Sequence, residues 1–189
     1  PEQRKIYNQF KEHYRKYLLN KIKEEGIGKS GIYILEGLTK LRQICDSPAL
    51  LNEDKRYPNE STKLEELIRE IEENVGQHKV LVFSQFVGML NLIRQQLDHH
   101  KIPYEYIDGS VTAQNRQKAV DNFQKNEEVK VFLISLKAGG VGLNLTAADY
   151  VYLVDPWWNP AVEQQAIDRT HRIGQTKKIF AYKMICKDS

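Results

Sequence analysis

Five short apolar runs, separated by helical patterns or glycine-rich turns, constrain the fold of this chain most. A continuous apolar run suits a strand that is buried on both faces of a sheet. Strands that alternate with helices of about 10 to 15 residues imply right-handed βαβ units. The sequence therefore predicts an α/β fold, a parallel sheet with helices on both faces. The runs are KVLVF (79–83), YEYI (104–107), VKVFLIS (129–135), YVYLVD (150–155) and KIFAYKMI (178–185).

The N-terminal third of the chain carries helical patterns instead. In residues 2–25, apolar side chains recur at three- and four-residue steps, with Lys and Arg between them, as in an amphipathic helix. The glycines from Gly26 onward are predicted to end this helix, and a second helix is predicted to end before Ser47. We therefore predict a helical segment over residues 1–60 and an α/β domain over residues 61–189.

Composition narrows the class of protein only slightly. The chain has 28 Lys and Arg against 25 Asp and Glu, a net charge of +3, so any basic surface has to be local. Cys45 and Cys186 lack the spacing of a zinc site and are expected to be reduced thiols of an intracellular protein. No apolar run approaches the roughly 18 residues of a membrane span, so we expect no membrane partner. The chain starts without Met and stops after a strand pattern, and we expect a piece of a longer protein, truncated at its C-terminal end.

Polar or glycine-rich clusters follow four of the predicted strands. Because the carboxyl ends of parallel strands meet at one edge of a sheet, ligands of such sheets bind there. We therefore expect one functional edge. The clusters are SQF (84–86), DGS (108–110), SLKAGGVGLN (135–144) and DPWWNP (155–160).

The glycine-rich cluster 135–144 can be interpreted in two ways. Its glycines would let the backbone approach an anion and direct N–H groups at it, but a flexible turn fits the residues equally well. A dinucleotide fingerprint fits poorly, because the third Gly and the later acidic residue are missing. A P-loop, GxxxxGK[ST], occurs nowhere in the sequence. The chain is therefore not expected to hold a nucleoside triphosphate in the P-loop manner.

Two arginines stand three positions apart in the predicted helix QAIDRTHRIGQ (165–175). Arg169 and Arg172 share a helix face, and their planar, permanently charged guanidinium groups suit bidentate phosphate contacts. Surface ion pairs with Asp168 or Glu163 are the alternative interpretation. Asp108 is interpreted as a turn residue.

Together these strings resemble the Swi/Snf family of ATP-dependent double-stranded DNA translocases in helicase superfamily two. HRIGQ following AGGVGLNL is the most specific part, since RNA helicases of the superfamily more often carry HRIGR. The resemblance implies the second of two RecA-like (P-loop NTPase-type) lobes, preceded by a helical linker or protrusion, with ATP bound between the lobes. The matching strings are LRQICDSPALL, STKLEEL, KVLVFSQF, YIDGSV with Arg116, LISLKAGGVGLNLTAADYVYLVDPWWNP and QAIDRTHRIGQ.

The resemblance also implies roles on the nucleotide side. Arg169 matches the arginine finger, Arg172 its companion, and Gln165 the polar first position of the same motif. The cofactors would be ATP and Mg²⁺, held mainly by a first lobe whose P-loop and DExH-type motif are absent from this sequence, so the fragment alone is expected to be inactive and to bind neither tightly. Gly140, Gly142 and Asn144 match the nucleotide-binding part of the glycine-rich motif, although related helicases often have Asp at the position of Asn144.

On the DNA side, the matched residues would hold the phosphates of one tracked strand. Such binding is independent of sequence and sensitive to salt. The expected partners are double-stranded DNA, the N-terminal RecA-like lobe of the same polypeptide and a DNA-bound protein substrate, in the cytoplasm of a bacterium or the nucleus of a eukaryote. The residues matched to these phosphate contacts are Ser84, Gln85, Gly109, Ser110, Arg116, Ser135 and Lys137. Trp158 matches a family Trp that approaches DNA and couples it to the ATP cleft.

Two other classes of function remain open at this point. A non-catalytic DNA- or protein-binding scaffold with a helicase-like fold would lack the P-loop and DExH-type strings upstream of this segment. A small-molecule α/β enzyme would need a nucleophile–base pair or a cofactor fingerprint, and neither is apparent in the sequence.

Overall fold

The computed structural model describes residues 2–51, 55–138, 143–156, 159–168, 170 and 177–189. These residues form two compact units, a helical unit over residues 1–63 and a sheet unit over residues 64–188. The assignment of separate roles to residues 1–60 and 61–189 stays a prediction.

Two helices dominate the helical unit, α1 (Glu2–Glu25) and α2 (Gly31–Asp46), and a short 3-10 turn at Pro48–Leu50 follows them. Gly26 ends α1 as predicted. Its φ of +81° is a left-handed conformation that favours glycine, and its N–H donates to the Ile22 carbonyl at 3.0 Å.

Close approach of α1 and α2 holds the helical unit together. A Cβ atom added to Gly37 would lie 2.8 Å from the Tyr14 ring, and Tyr14 is itself buried, so only a residue without a side chain fits there. A small apolar core lies nearer the ends of the two helices. It consists of Ile6, Ile44 and Leu51, with Phe10 and Tyr57 packed against them.

The sheet unit alternates strands and helices as the sequence predicts. The four strand pairings among the described residues are all parallel, and the order across the sheet is β2-β3-β1-β4-β5. The predicted α/β class with a parallel sheet is therefore confirmed. The elements are α3 (Thr62–Asn74), β1 (Val80–Ser84), α4 (Val87–His99), β2 (Tyr104–Ile107), α5 (Ala113–Lys125), β3 (Val131–Ser135), β4 (Tyr150–Leu153), α6 (Pro160–Asp168) and β5 (Phe180–Lys183).

Both faces of the sheet are covered. On one face, Leu81 and Phe83 of β1 belong to a core that also contains Phe123 of α5 and Ala166 of α6. On the other face, the Tyr152 hydroxyl donates to Oε2 of Glu70 in α3 at 3.1 Å. Burial, followed by this hydrogen bond, raises the pKa of Tyr152. Helices thus enclose the central strands, as predicted for buried apolar runs.

The carboxyl ends of the strands lie at one edge of the sheet, which we call the carboxyl edge. Ser84 and Ser135, the last residues of β1 and β3, are register partners, and Ile107 of β2 pairs with Ile134. The ladder continues beyond the strands, with the Val154 N–H donating to the Phe83 carbonyl at 3.0 Å. In the described parts of the chain, no helix is both long and apolar enough to cross a membrane.

Candidate functional site

A buried carboxylate, Asp155, ties together two segments at the carboxyl edge. Asp155 follows β4 and is 4% exposed. Its Oδ1 accepts the backbone N–H of Gln85 at 2.7 Å, and its Oδ2 accepts the Ser84 hydroxyl. The Ser84 oxygen in turn accepts the Phe86 N–H at 3.1 Å. The loop from β1 to α4 is therefore fixed to the end of β4 by hydrogen bonds to a charged acceptor, which are stronger than neutral ones.

This arrangement affects the two predicted DNA contacts in the loop. Ser84 is fully buried, and its hydroxyl is engaged within the protein by Asp155. Gln85 is partly exposed, so its side chain is available at the edge. Contact of either residue with DNA stays a prediction. The sequence interpretation gave Asp155 no role. The available signal was an acidic residue directly after an apolar strand, where a buried carboxylate requires partners.

The loop after β2 is organised by Asp108. Its Oδ1 accepts the Ser110 N–H at 2.8 Å and the Ser110 hydroxyl at 2.5 Å, and its Oδ2 accepts the Tyr106 hydroxyl at 2.6 Å. These bonds, first that of the Ser110 side chain and then that of Tyr106, lower the pKa of Asp108. Burial and the bond to Asp108 raise the pKa of Tyr106 to about 12. The interpretation of Asp108 as a turn residue agrees with this geometry.

The tip of the same loop is open. Gly109 and Ser110 are exposed, and a Cβ atom added to Gly109 would meet nothing within 4 Å. A phosphate group would therefore have room to approach the backbone here.

Arg116 lies one turn into α5, which follows this loop. Thr112 caps the helix by accepting the Asn115 N–H at 3.3 Å. The Arg116 Nε atom is buried and has no hydrogen-bond partner among the residues that the structure describes. An unsatisfied guanidinium N–H is costly, and an anionic ligand would satisfy it. The predicted contact of Arg116 with a DNA phosphate is consistent with this position but stays a prediction.

The residues after β3 divide into buried and exposed positions. Ser135 is buried at the end of the strand, whereas Lys137 is exposed two residues later. Asn144 is exposed between the buried Leu143 and Leu145, so its side chain is available to a ligand. The predicted site residues Gly140, Gly142, Trp158, Arg169 and Arg172 lie outside the described residues.

Helix α6 begins with a cap that its sequence explains. The Asn159 side chain accepts the Ala161 N–H at 3.1 Å, and Pro160 occupies the first helical position, where a missing N–H is harmless. In the first turn, the buried Glu163 pairs with Lys183 of β5, with 2.5 Å between Oε2 and Nζ. The helix is thereby fixed to the edge strand.

The other polar residues of α6 are Gln164, Gln165 and Asp168, which precede the two arginines in the sequence. Gln164 donates to Oδ1 of Asp168 at 2.8 Å, and Gln165 is exposed. Asp168 accepts this bond and Glu163 pairs with Lys183, and the alternative of ion pairs from these two acids to Arg169 and Arg172 stays a prediction. The roles of Arg169, Arg172 and Gln165 stay predictions.

A small cavity at the carboxyl edge lies among the ends of β1, β3 and β4 and the start of α6. Its floor is apolar, and Gln85, Asp155 and Glu163 provide its polar groups. No group of three or more His, Cys, Asp or Glu that would hold a metal ion occurs in the part of the chain that the structure describes. The lining residues are Phe83, Gln85, Leu136, Leu153, Val154, Asp155, Pro156, Val162 and Glu163.

Residues 62–174 match the family model of the helicase conserved C-terminal domain. DNA repair protein rad8 of Schizosaccharomyces pombe is 44% identical over 133 residues, which is 69% of this chain and 12% of rad8. An uncharacterized ATP-dependent helicase of Mycoplasma genitalium is 39% identical over 195 residues, which is 97% of this chain and 18% of the relative. The human chromatin-remodeling ATPase INO80 is 46% identical over 110 residues, which is 58% of this chain and 7% of INO80. The chain spans less than a fifth of each relative.

Two similar solved structures are also SWI2/SNF2 ATPases, and each match covers nearly the whole of this chain. The C-terminal domain of the Sulfolobus solfataricus SWI2/SNF2 ATPase is 34% identical with a TM-score of 0.72, covering 98% of this chain and 74% of that domain. The core of a Sulfolobus solfataricus SWI2/SNF2 ATPase in complex with dsDNA is 36% identical with a TM-score of 0.79, covering 98% of this chain and 38% of that core.

Proposed function

The chain belongs to the helicase conserved C-terminal domain family and, within it, to the Swi2/Snf2 ATPases, and from this membership we propose that it is the second motor lobe of an ATP-dependent double-stranded DNA translocase. Its fold is that of the RecA-like C-terminal lobe. Family membership alone does not say which surface of the lobe binds which ligand. We propose that the carboxyl edge of this lobe contacts DNA and also faces the nucleotide cleft.

One observation carries the proposal: separate segments bring phosphate-binding chemistry to the carboxyl edge of one parallel sheet. Gln85 follows β1, Gly109 and Ser110 follow β2, and Lys137 follows β3. Ligands of such sheets bind at this edge. The related Sulfolobus solfataricus core was solved in complex with dsDNA, which supports the same ligand for this chain.

We assign the DNA contacts to the exposed groups of this edge. The Gln85 side chain, the backbone at Gly109, the Ser110 hydroxyl and the Lys137 ammonium would bind phosphates. The Arg116 guanidinium, whose buried Nε has no partner among the described residues, would add charge. None of these contacts reads a base, so binding is independent of sequence and weakens as salt rises. Ser84 supports the loop through Asp155 in addition to its predicted contact.

We assign the nucleotide side to the segment that begins with α6. Arg169 would reach the phosphates held by a first lobe and stabilise charge on the transferring phosphoryl group, a contribution of roughly 10³–10⁵ in rate. Arg172 and the exposed Gln165 would assist it, and the exposed Asn144 fits a contact with the nucleotide. When bound, ATP and Mg²⁺ supply the phosphoryl chemistry. This chain supplies charge and position.

Translocation would follow from repeated closure of two lobes. Closure on ATP completes the catalytic constellation, and reopening after hydrolysis lets this lobe shift its contacts along one strand. The partners of the full-length protein are therefore duplex DNA, its own first lobe and a DNA-bound protein. Its place of action is the compartment that holds the chromosome.

A comparison of the full-length protein with residues 1–189 tests this function. We expect ATP hydrolysis by the full-length protein to rise several-fold on addition of duplex DNA, and the isolated chain to show no hydrolysis with or without DNA. The isolated chain should still bind duplex DNA weakly, with affinity that falls as salt rises. A full-length protein whose hydrolysis ignores duplex DNA contradicts the motor assignment.

A further inference from the structure

Two aspartates bracket β4, and each binds one end of the neighbouring strand β1. Before β4, Asp149 accepts the Lys79 N–H at 3.2 Å through Oδ1, and its Oδ2 lies 2.5 Å from Nδ1 of His78. After β4, Asp155 accepts the Gln85 N–H at 2.7 Å and the Ser84 hydroxyl. Each carboxylate therefore contacts both a backbone N–H and a side chain at its end of β1. The chemistry is nearly the same at the two ends of the strand pair.

The two aspartates differ in what they fix. Asp149 fixes the N-terminal end of β1. At this end, the Lys79 ammonium donates to the Phe123 carbonyl and, at 2.9 Å, to the Asn126 carbonyl at the end of α5. These contacts are all internal to the fold. Asp155 instead fixes the loop 84–86, which is at the predicted DNA surface.

Asp155 is also where the chain leaves the sheet for α6. Four residues, 156–159, separate it from the first residue of the helix. Helix α6 is firmly anchored, since Ala166 belongs to the sheet core and Glu163 pairs with Lys183. Arg169 follows the last residue of α6 in the sequence. Asp155 also shares the small cavity at the carboxyl edge with Gln85 of the loop and with Val162 and Glu163 of α6, so it lies between the loop 84–86 and the start of that helix.

We propose that Asp155 is a positioning residue that couples the loop 84–86, at the proposed DNA surface, to the start of α6, so that DNA bound at the loop raises the rate of ATP hydrolysis. The proposal rests on the proposed motor function and deepens it. A buried carboxylate suits a connection between the loop 84–86 and α6 because it accepts both an N–H and an O–H. Charged hydrogen bonds in a water-poor site also resist distortion. Asp149 has equivalent bonds without this role.

The two aspartates supply a matched test in the full-length protein. Asp155→Asn removes the charge and one acceptor while keeping the shape of the side chain, and Asp149→Asn makes the same change at the other end of β4. The readout is the ratio of ATP hydrolysis at saturating duplex DNA to hydrolysis without DNA, with thermal unfolding measured in parallel. A merely structural loss lowers the amount of folded protein and so lowers both rates equally.

We expect Asp155→Asn to lower this ratio by about 2- to 30-fold, the usual range for residues that couple two sites, and Asp149→Asn to leave it unchanged. Equal ratios in the two variants would overturn the coupling role while leaving the motor function intact. If wild-type hydrolysis does not respond to DNA, the proposed function itself fails, and the coupling proposal with it.

A variant that removes only one hydrogen bond to Asp155 keeps the proposal testable if Asp155→Asn does not fold. Ser84→Ala deletes the hydroxyl donor and leaves the bond from the Gln85 N–H in place. Loss of coupling lowers the ratio at saturating DNA, whereas loss of a phosphate contact alone raises only the DNA concentration for half-maximal stimulation. We expect a smaller fall in the ratio than for Asp155→Asn. An unchanged ratio at saturating DNA contradicts the proposal.

Discussion

The two edges of the sheet use similar residues in opposite ways. At the amino edge, where the strands begin, polar groups bond to one another and to the backbone. The Lys79 ammonium donates hydrogen bonds to two backbone carbonyls at the C-terminal end of α5. The Gln124 side chain accepts the Ala147 N–H at 2.8 Å, and Lys177 donates to the Ala147 carbonyl at 2.8 Å. At the carboxyl edge, Ser110 and Lys137 are exposed.

This contrast separates stability from function within one sheet. A buried lysine must be satisfied by the protein itself, whereas an exposed lysine at the ligand edge is available to a phosphate. We therefore expect substitutions at the amino edge to change the free energy of unfolding and substitutions at the carboxyl edge to change DNA binding. Asp155, Ser84 and Glu163 are exceptions, since these three polar residues of the functional edge are buried and bond within the protein.

The largest expected difference between the edges is in stability. Lys79→Ala removes the ammonium that the carbonyls at the end of α5 accept, and burial already lowers the pKa of Lys79, so the site is poorly solvated. We expect the free energy of unfolding to fall by about 1–3 kcal/mol, measured by urea denaturation. Lys137→Ala, the matched change at the other edge, should alter it by less than about 0.5 kcal/mol. Equal losses for the two lysines would remove the contrast.

Lys137 should instead affect DNA binding. We expect Lys137→Ala to weaken binding of the full-length protein to duplex DNA by a similar factor for all sequences, because the contact proposed for the lysine is with a phosphate and not with a base. The slope of log affinity against log salt should become less negative by about 0.9, the value for one phosphate contact. Titrations at several salt concentrations measure this slope, and Lys79→Ala is the control that should leave it unchanged. An unchanged slope in Lys137→Ala would exclude the lysine from the DNA surface.

The smallest expected effect concerns the loop after β2. Ser110→Ala removes the strongest of the bonds that lower the pKa of Asp108, so this pKa should rise toward its ordinary value. Tyr106→Phe should raise it less. A carboxyl group with a lowered folded pKa stabilises the fold above its unfolded pKa, and this contribution is lost as pH falls through the lower folded value. Ser110→Ala should therefore lose less stability than wild type on acidification below about pH 4.

Titration of the Asp108 carboxyl group by NMR checks this prediction directly. If Tyr106→Phe raises the pKa of Asp108 more than Ser110→Ala does, the hydrogen bonds of the loop have been ranked wrongly.

The secondary structure was predictable where the sequence pattern determines it alone. Residues 2–25 and 104–107 were predicted with the bounds observed for α1 and β2. The strand predicted over residues 178–185 is shorter, Phe180–Lys183, because β5 has one neighbour in the described sheet and all four of its residues are exposed. Apolar character suggests a strand, but the extent of pairing depends on the neighbours.

The candidate site was predictable in place but not in its internal bonds. Strand order and parallel direction bring Gln85, Ser110 and Lys137 to one edge, and the sequence predicted that edge. The pairing of Ser84 with Asp155 was not predictable, because the two residues are 71 positions apart and either polar side chain alone suits a ligand contact. Only the register of β1 against β4 brings them together.

The central claim, that this chain supplies the catalytic arginine of a DNA-driven motor, is tested most directly by the DNA-stimulated ATPase rate of the full-length Arg169→Ala variant. Arg94→Ala is the matched control, since Arg94 lies in α4 with its guanidinium 4.3 Å from the ring centroid of Tyr106 in β2, where no role in hydrolysis is proposed. We predict that Arg169→Ala lowers the stimulated rate by about 10³-fold or more with unchanged thermal unfolding, while Arg94→Ala stays near wild type. A stimulated rate near wild type in Arg169→Ala would contradict the account.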